Sequence, residues 1–176
     1  ALFGEASAYP HGVPHPQILA EGDMVLVDTG GSMHGYVSDI TRSYVFGEPS
    51  ARQREIWDLE KKVQQAAFDA AQLGASCSAV DDASRAVLVK AGLGPDYKLP
   101  GLAHRTGHGT GLDIHEYPYI VQSDKTVLTK GMCFSNEPMI CVPNKFGIRL
   151  EDHIYMTKNG AKWFTKPSNS IDSPFE

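Results

Sequence analysis

Between residues 50 and 74 apolar side chains return every three or four positions, at Ile56, Leu59, Val63, Ala66, Ala70 and Leu73. That period predicts a helix with one inward stripe. Ser50 followed by Gln53 supplies a capping box at its start, and Gly74 stands where a C-terminal cap belongs. A second helix is predicted from about Ser78 to Ala91, with Val80, Ala83 and Val87 inward and Gly92 ending it. Outside this helical region the apolar residues come in short runs, each opened by a glycine: "GDMVLVD" (22–28), "GYVSD" (35–39), "GMCFSNE" (131–137) and "GIRLE" (147–151). Runs of that length read as strands. Strand-rich segments on both sides of a helix pair predict an α+β fold.

The four runs repeat one another. Asp28 follows Gly22 by six residues, and Glu137 follows Gly131 by six; Asp39 follows Gly35 by four, and Glu151 follows Gly147 by four. Two β-hairpin units carrying one carboxylate per strand at equivalent offsets predict an internal duplication with pseudo-twofold symmetry. Each acid ends or interrupts an apolar run, so all four are expected to point inward and converge. Four clustered carboxylates repel one another, whereas two divalent cations neutralise them. A dinuclear metal site is therefore expected.

The stretch "HRTGHGTGLDIHE" (104–116) adds nitrogen donors. Gly107, Gly109 and Gly111 each cost a helix about 1 kcal/mol, so a helical pair of histidines is excluded. In an extended chain, His104 and His108 share a face and the glycines allow close approach; the alternative is a tight bend with ordinary loop histidines. His108 as the imidazole beside four carboxylates gives a hard, mixed donor set that suits Mn²⁺ or Co²⁺ and tolerates Zn²⁺ or Fe²⁺.

Composition narrows the classes further. The 176 residues are 41% hydrophobic, enough for one domain with a sizeable core, and the net charge of −5 without basic runs argues against nucleic acid or an anionic membrane as partner. No apolar run approaches the length of a membrane span. Cys77, Cys133 and Cys141 lack chelating spacing and are expected as buried thiols of a reducing compartment, which suggests a cytoplasmic protein.

"DTGGSMHGYVSDITR", "HRTGHGTGLDIHE", "SNEP" and "GIRLEDH" together resemble the metallopeptidases of the pita-bread fold, a family that includes methionine aminopeptidase, aminopeptidase P and prolidase. The resemblance covers nearly the whole chain. It implies two divalent ions held by Asp28, Asp39, His108, Glu137 and Glu151, with one aspartate and one glutamate bridging. It also implies that His11 lies near the scissile bond, that His104 and His115 bind substrate or stabilise the tetrahedral intermediate, and that Arg149 organises the site or the substrate. Thr41 and Arg149, each two residues from a ligand, share the metal-facing side of their strands. The chemistry expected is attack on a peptide carbonyl by a hydroxide shared between the ions, with Glu137 shuttling the proton. The reading is a Xaa-Pro dipeptidase of the prolidase type acting on short proline-containing peptides, with aminopeptidase P and, behind it, methionine aminopeptidase as alternatives. A non-catalytic pita-bread module that binds peptides is the reading of a different class. Against the family pattern the chain lacks a separate N-terminal domain and the first elements of the pita-bread domain. Residues 1–176 are thus expected to be a C-terminal catalytic domain, its apolar surface covered by the missing segment or by a homodimer partner.

Overall fold

The computed structural model describes residues 1–176 and contains ten strands and two α-helices. Strand β1 (Leu2–Phe3) leads through a short 3-10 turn (Gly4–Ala8) to the long hairpin of β2 (Met24–Met33) and β3 (Tyr36–Val45). Its closing pair is Met33 and Tyr36, and the two residues between, His34 and Gly35, both have positive φ (53° and 86°). Two left-handed residues in succession match the right-handed twist of the flanking strands, which is why a glycine sits there. β1 pairs with the other edge of β2.

Helices α1 (Ala51–Ala70) and α2 (Cys77–Lys90) follow. The Ser50–Gln53 capping box forms as expected, and Ser76 caps α2. The expected end of the first helix is corrected. α1 stops at Ala70, and the exposed Leu73 lies beyond it, because the chain leaves the helix so that the Gly74 N–H can donate to the Leu128 carbonyl.

The second half holds β4 (Gly107–Gly109), β5 (Glu116–Ile120), β6 (Cys133–Asn136), β7 (Met139–Val142), β8 (Phe146–Arg149), β9 (Asp152–Thr157) and β10 (Gly160–Trp163). Strands β10, β9, β6, β4 and β5 lie in that order in one sheet, and β7 pairs with β8. Asn136 pairs with Asp152 and Met139 with Arg149, one register carried across a break, so β6–β7 and β8–β9 form a single interrupted hairpin. The break falls at Glu137 and Glu151, which face each other.

The duplication is thus present in topology and spacing, with one difference. In the first hairpin Asp28 stands opposite Thr41 and Asp39 opposite Gly30. The two acids are offset by two residues there, whereas the glutamates are directly opposed. The three-residue loop 143–145 in place of a two-residue turn accompanies that change of register.

The hairpins meet side by side. Thr41 bridges to Glu151, and the Ser43 hydroxyl donates to the Arg149 carbonyl (2.9 Å) while accepting from the Arg149 N–H (3.1 Å). Behind them α1 buries Ile56, Trp57 and Val63 against Met24, Leu26, Ile140, Ile148 and Leu150. A second core gathers Ala67, Cys77 and Val80 with Ile120, Leu128, Phe134 and Ile154. Polar contacts fix the helix along this interface: Trp57 Nε1 donates to the Ser43 carbonyl (2.9 Å) and Asn136 Nδ2 to the Gln64 carbonyl (2.9 Å). No helix is long and apolar enough to cross a membrane.

Candidate metal centre

The meeting line of the two hairpins and β4 is where the acids collect. One ligand atom each from Asp39, His108 and Glu151 lies within 4.8 Å of the other two. Glu137 Oε1 stands 3.2 Å from His108 Nε2. Asp28 lies beside Asp39 and forms an ion pair with Arg149. The five predicted ligands therefore belong to one cluster.

One expectation about them is corrected. Glu137 and Glu151 are buried, but the Asp28 side chain is 44% exposed. β2 is buried only at its start, and from Asp28 onward the ribbon projects into solvent, so the end of the apolar run marks where the strand leaves the core.

Several backbone features hold the cluster in place. A Cβ at Gly107 would overlap the Ser135 carbonyl oxygen, so only glycine lets β4 approach β6 this closely. The Ser135 hydroxyl then accepts from the His108 N–H (3.0 Å). The loop before β4 is clamped from α2. Asp81 accepts from the Thr106 hydroxyl (2.7 Å), and Arg85, paired with Asp81 at 2.8 Å, donates to the carbonyls of Asp96, Leu102 and His104. Beneath the other side, Arg42 pairs with the buried Asp152 (2.8 Å), which also accepts from Gln64 and Thr165. Arg149 sits between the hairpins with a side chain only 7% exposed, donating to Thr41 Oγ1 (3.0 Å) and to Asp28; Thr41 in turn donates to Glu151 (2.6 Å). Thr41 and Arg149 thus brace the cluster, as their alternation with the acids predicts.

The electrostatics are those of like charges brought together. Burial, followed by the charge of Asp28, pushes Asp39 up to about 6. Glu151 is driven well above the carboxylate range by burial and then by Glu137 and Asp39. Burial would raise Glu137 as well, but the His108 hydrogen bond and the charges of His104, Arg149 and His108 outweigh it and hold this carboxyl at about 2. Glu137 is consequently ionised at neutral pH.

The donor set fits a cation. His108 Nδ1 lies 3.0 Å from the Gly109 carbonyl, which can only accept, so Nδ1 carries a proton and Nε2 is the nitrogen turned toward Glu137. Nε2 and a Glu137 carboxylate oxygen, 3.2 Å apart, converge as one nitrogen and one oxygen, a contact that a proton on Nε2 bridges and that a cation could bridge in its place. Glu151 Oε1 is buried without a hydrogen-bond partner. Carboxylate oxygens with one imidazole are the donors of Mn²⁺, Co²⁺ or Fe²⁺ sites more than of sulfur-rich zinc sites.

Above the cluster opens a cavity of about 340 Å³ lined by Pro10, His11, Asp28, Asp39, His104, Arg105, His108, His115, Glu137 and Arg149. All the predicted substrate-contacting residues are in this lining. His104 Nδ1 donates to the Arg105 carbonyl (2.6 Å), leaving Nε2 buried and unpartnered. The His115 ring stands edge-on to His108 with centroids 4.3 Å apart. Burial lowers the pKa of both His104 and His115, so both are neutral at pH 7. Sequence reasoning missed Arg105, although it lies between two singled-out histidines; a lone arginine in a glycine-rich loop has no periodic signal.

This arrangement matches known proteins across the chain. A family model described as metallopeptidase family M24 matches residues 1–158. The Xaa-Pro dipeptidase of Pyrococcus furiosus is 41% identical over 168 residues, which are 96% of this chain and 47% of that protein. A solved prolidase from Pyrococcus furiosus superposes with a TM-score of 0.88 at 40% identity, covering 96% of this chain and 48% of that one. An X-Pro aminopeptidase from Thermotoga maritima superposes with a TM-score of 0.87 at 31% identity, covering 94% and 46%. The chain spans about half the length of the curated relatives it matches. The pita-bread architecture expected from the motifs is that of these neighbours, and the chain belongs to the metallopeptidase family M24.

Proposed function

We propose that residues 1–176 are the C-terminal catalytic domain of an enzyme that, as a complete chain, hydrolyses Xaa-Pro dipeptides with two divalent metal ions, Mn²⁺ foremost, held by Asp28, Asp39, His108, Glu137 and Glu151. The observation that carries this reading is the convergence of Asp39, His108 and Glu151 at the floor of an open cavity, with a Glu151 oxygen left without a partner. The ions, when bound, supply hydroxide at neutral pH and polarise the peptide carbonyl. The chain's own groups do the rest. Glu137, ionised and beside His108, accepts the proton of the attacking water and returns it to the leaving nitrogen. His104 presents the unprotonated Nε2 and accepts a hydrogen bond from substrate or water, while His115 and His11 meet the peptide from the rim. Arg149 and Thr41 keep Asp28 and Glu151 in place.

A bond to proline has no amide N–H on its leaving nitrogen, so the site must hold the peptide by its ends and by the carbonyl. The relatives named Xaa-Pro dipeptidase favour the dipeptide reading; the X-Pro aminopeptidase neighbour keeps a longer substrate as the second. A cytoplasmic homodimer completes the proposal. The assay compares Ala-Pro, Ala-Pro-Ala, Ala-Ala and Met-Ala-Ser with Mn²⁺ present, alongside elemental analysis. Preference for Ala-Pro and two ions per site are expected. Preference for Ala-Pro-Ala would move the substrate to that of aminopeptidase P, and for Met-Ala-Ser to that of methionine aminopeptidase. Cleavage of none, with both metals bound and the chain complete, would leave a binding module.

A further inference from the structure

Asp81 and Arg85, one turn apart on α2, are both buried and pair at 2.8 Å. A buried ion pair contributes little net stability, because withdrawing both charges from water offsets most of their attraction. What sets this one apart is where its other bonds go. Between Lys90 and Gly107 the chain has no helix or strand to hold it, only the single bridge of Gly101 to Cys141. Arg85 donates from Nη1 to the carbonyls of Asp96 (2.6 Å) and Leu102 (3.4 Å) and from Nη2 to that of His104 (2.8 Å), and its guanidinium lies 4.4 Å from the centroid of the Tyr97 ring. Asp81 Oδ1 accepts from the Thr106 hydroxyl (2.7 Å) and from the Thr106 N–H (3.2 Å), which the Ile120 carbonyl shares (3.0 Å). The pair thus grips the segment immediately before and immediately after Arg105. The peptide joining Arg105 to Thr106 is planar, so fixing its N–H fixes the direction of its carbonyl. That carbonyl takes the Nδ1 proton of His104 (2.6 Å), leaving the Nε2 of a cavity-lining ring buried and unpartnered.

We infer that Asp81 and Arg85 are positioning residues that act through His104, setting the place and tilt of its ring in the cavity. This rests on the catalytic reading above, in which His104 Nε2 accepts a hydrogen bond from substrate or water. Arg85 fixes the backbone of His104 at its carbonyl, and Asp81 fixes the peptide on which the ring leans, so the imidazole is held at both ends from one helix. Neither residue is in the cavity lining. A ring that must present one nitrogen to a reacting group tolerates little error, since a misplacement of about 1 Å costs on the order of 100-fold in rate. Lysine at position 85 keeps the charge, but its single nitrogen cannot reproduce the planar fork that reaches Asp81 and three carbonyls at once.

The test uses the complete, Mn²⁺-loaded enzyme and reads kcat/KM for whichever of the four peptides above it cleaves best, with every variant matched to wild type in metal content. Arg85→Lys should lower kcat/KM by about 10- to 100-fold. Thr106→Val keeps the shape of its side chain and removes only the hydroxyl that Asp81 holds, and should lower kcat/KM by about 3- to 10-fold. Thr106→Ser, which keeps the hydroxyl, should recover most of that loss. The deciding measurement is a double-mutant cycle. On a His104→Ala background Arg85→Lys and Thr106→Val should each cost less than about twofold, since the ring through which they act is gone. Should Arg85→Lys fail to fold, Thr106→Val carries the cycle alone. Losses that multiply in full with that of His104→Ala, or a Thr106→Ser enzyme as impaired as Thr106→Val, would overturn the assignment and leave the catalytic reading standing. His104→Ala with wild-type kcat/KM would overturn the role given to His104 and this inference with it. Cleavage of none of the peptides by wild type would overturn both readings.

Discussion

Replacing Glu60 by Gln should flatten a loss of stability that the native chain shows as the pH rises above about 4.5. Glu60 lies on the inner face of α1, fully buried, and neither of its carboxyl oxygens has a hydrogen-bond partner. Burial drives its pKa well above 4.5, and the charge of Arg149 only partly opposes this. The sign follows from where the proton is held more tightly. The folded state keeps it and the unfolded chain releases it near 4.5, so the stabilising contribution is complete below that pH and is lost as pH rises toward the folded value. Within that window one proton's difference amounts to about 1.4 kcal/mol per pH unit. For a chain of this size that is roughly 3–5 °C of Tm per unit. Glutamine has nearly the same shape and does not titrate, so the wild-type minus Glu60→Gln difference isolates this group from the other acids. The buried amide carries its own desolvation cost of about 1–3 kcal/mol, which shifts the variant's whole profile without tilting it. Thermal unfolding followed by circular dichroism from pH 4.5 to 8 is the assay. Wild-type and Glu60→Gln profiles that ran parallel across that range would refute the reasoning, because they would require Glu60 to be hydrated or paired in solution.

Mn²⁺ should bind more weakly as the pH falls through about 6, where burial and the Asp28 charge make Asp39 take up a proton that competes with the ion; calorimetric affinities that stay constant from pH 7.5 to 5.5 would contradict this. Gly107→Ala should lower stability by about 1–3 kcal/mol, since the new Cβ overlaps the Ser135 carbonyl, and should weaken Mn²⁺ binding by displacing His108. A variant with native Tm and native Mn²⁺ affinity would show that β4 has room to move.

The helices were legible because their signals are local. A capping serine and glutamine act within one turn, and the Ser50–Gln53 box forms where the spacing puts it. Periodicity alone misjudged what the helices bury. On α1 the buried face includes Gln53, Glu60 and Gln64 beside Ile56, Trp57 and Val63, and on α2 it includes Asp81 and Arg85. A pattern of apolar residues sends such side chains to solvent. They are inside because the loop before β4 and the carbonyls of neighbouring strands give them partners that only tertiary structure brings near, as Arg85 finds at Asp96, Leu102 and His104. Glu60 is the exception that finds none.

The acids were legible for a different reason, since they occupy equivalent positions on both hairpins and so leave a repeat in the sequence. What the repeat could not carry was register. Equal spacing from a glycine fixes how far along a strand an acid lies, not which residue it faces, and the turn decides that. The His34–Gly35 turn sets Asp28 against Thr41, while the 143–145 loop sets Glu137 against Glu151. The two halves are therefore unequal where they meet. One presents exposed Asp28 braced by Arg149, and the other presents two buried glutamates against His108. A pseudo-twofold scaffold that ends in an asymmetric cluster has a buried side and an open side, and Arg105 stands among the residues that line the opening.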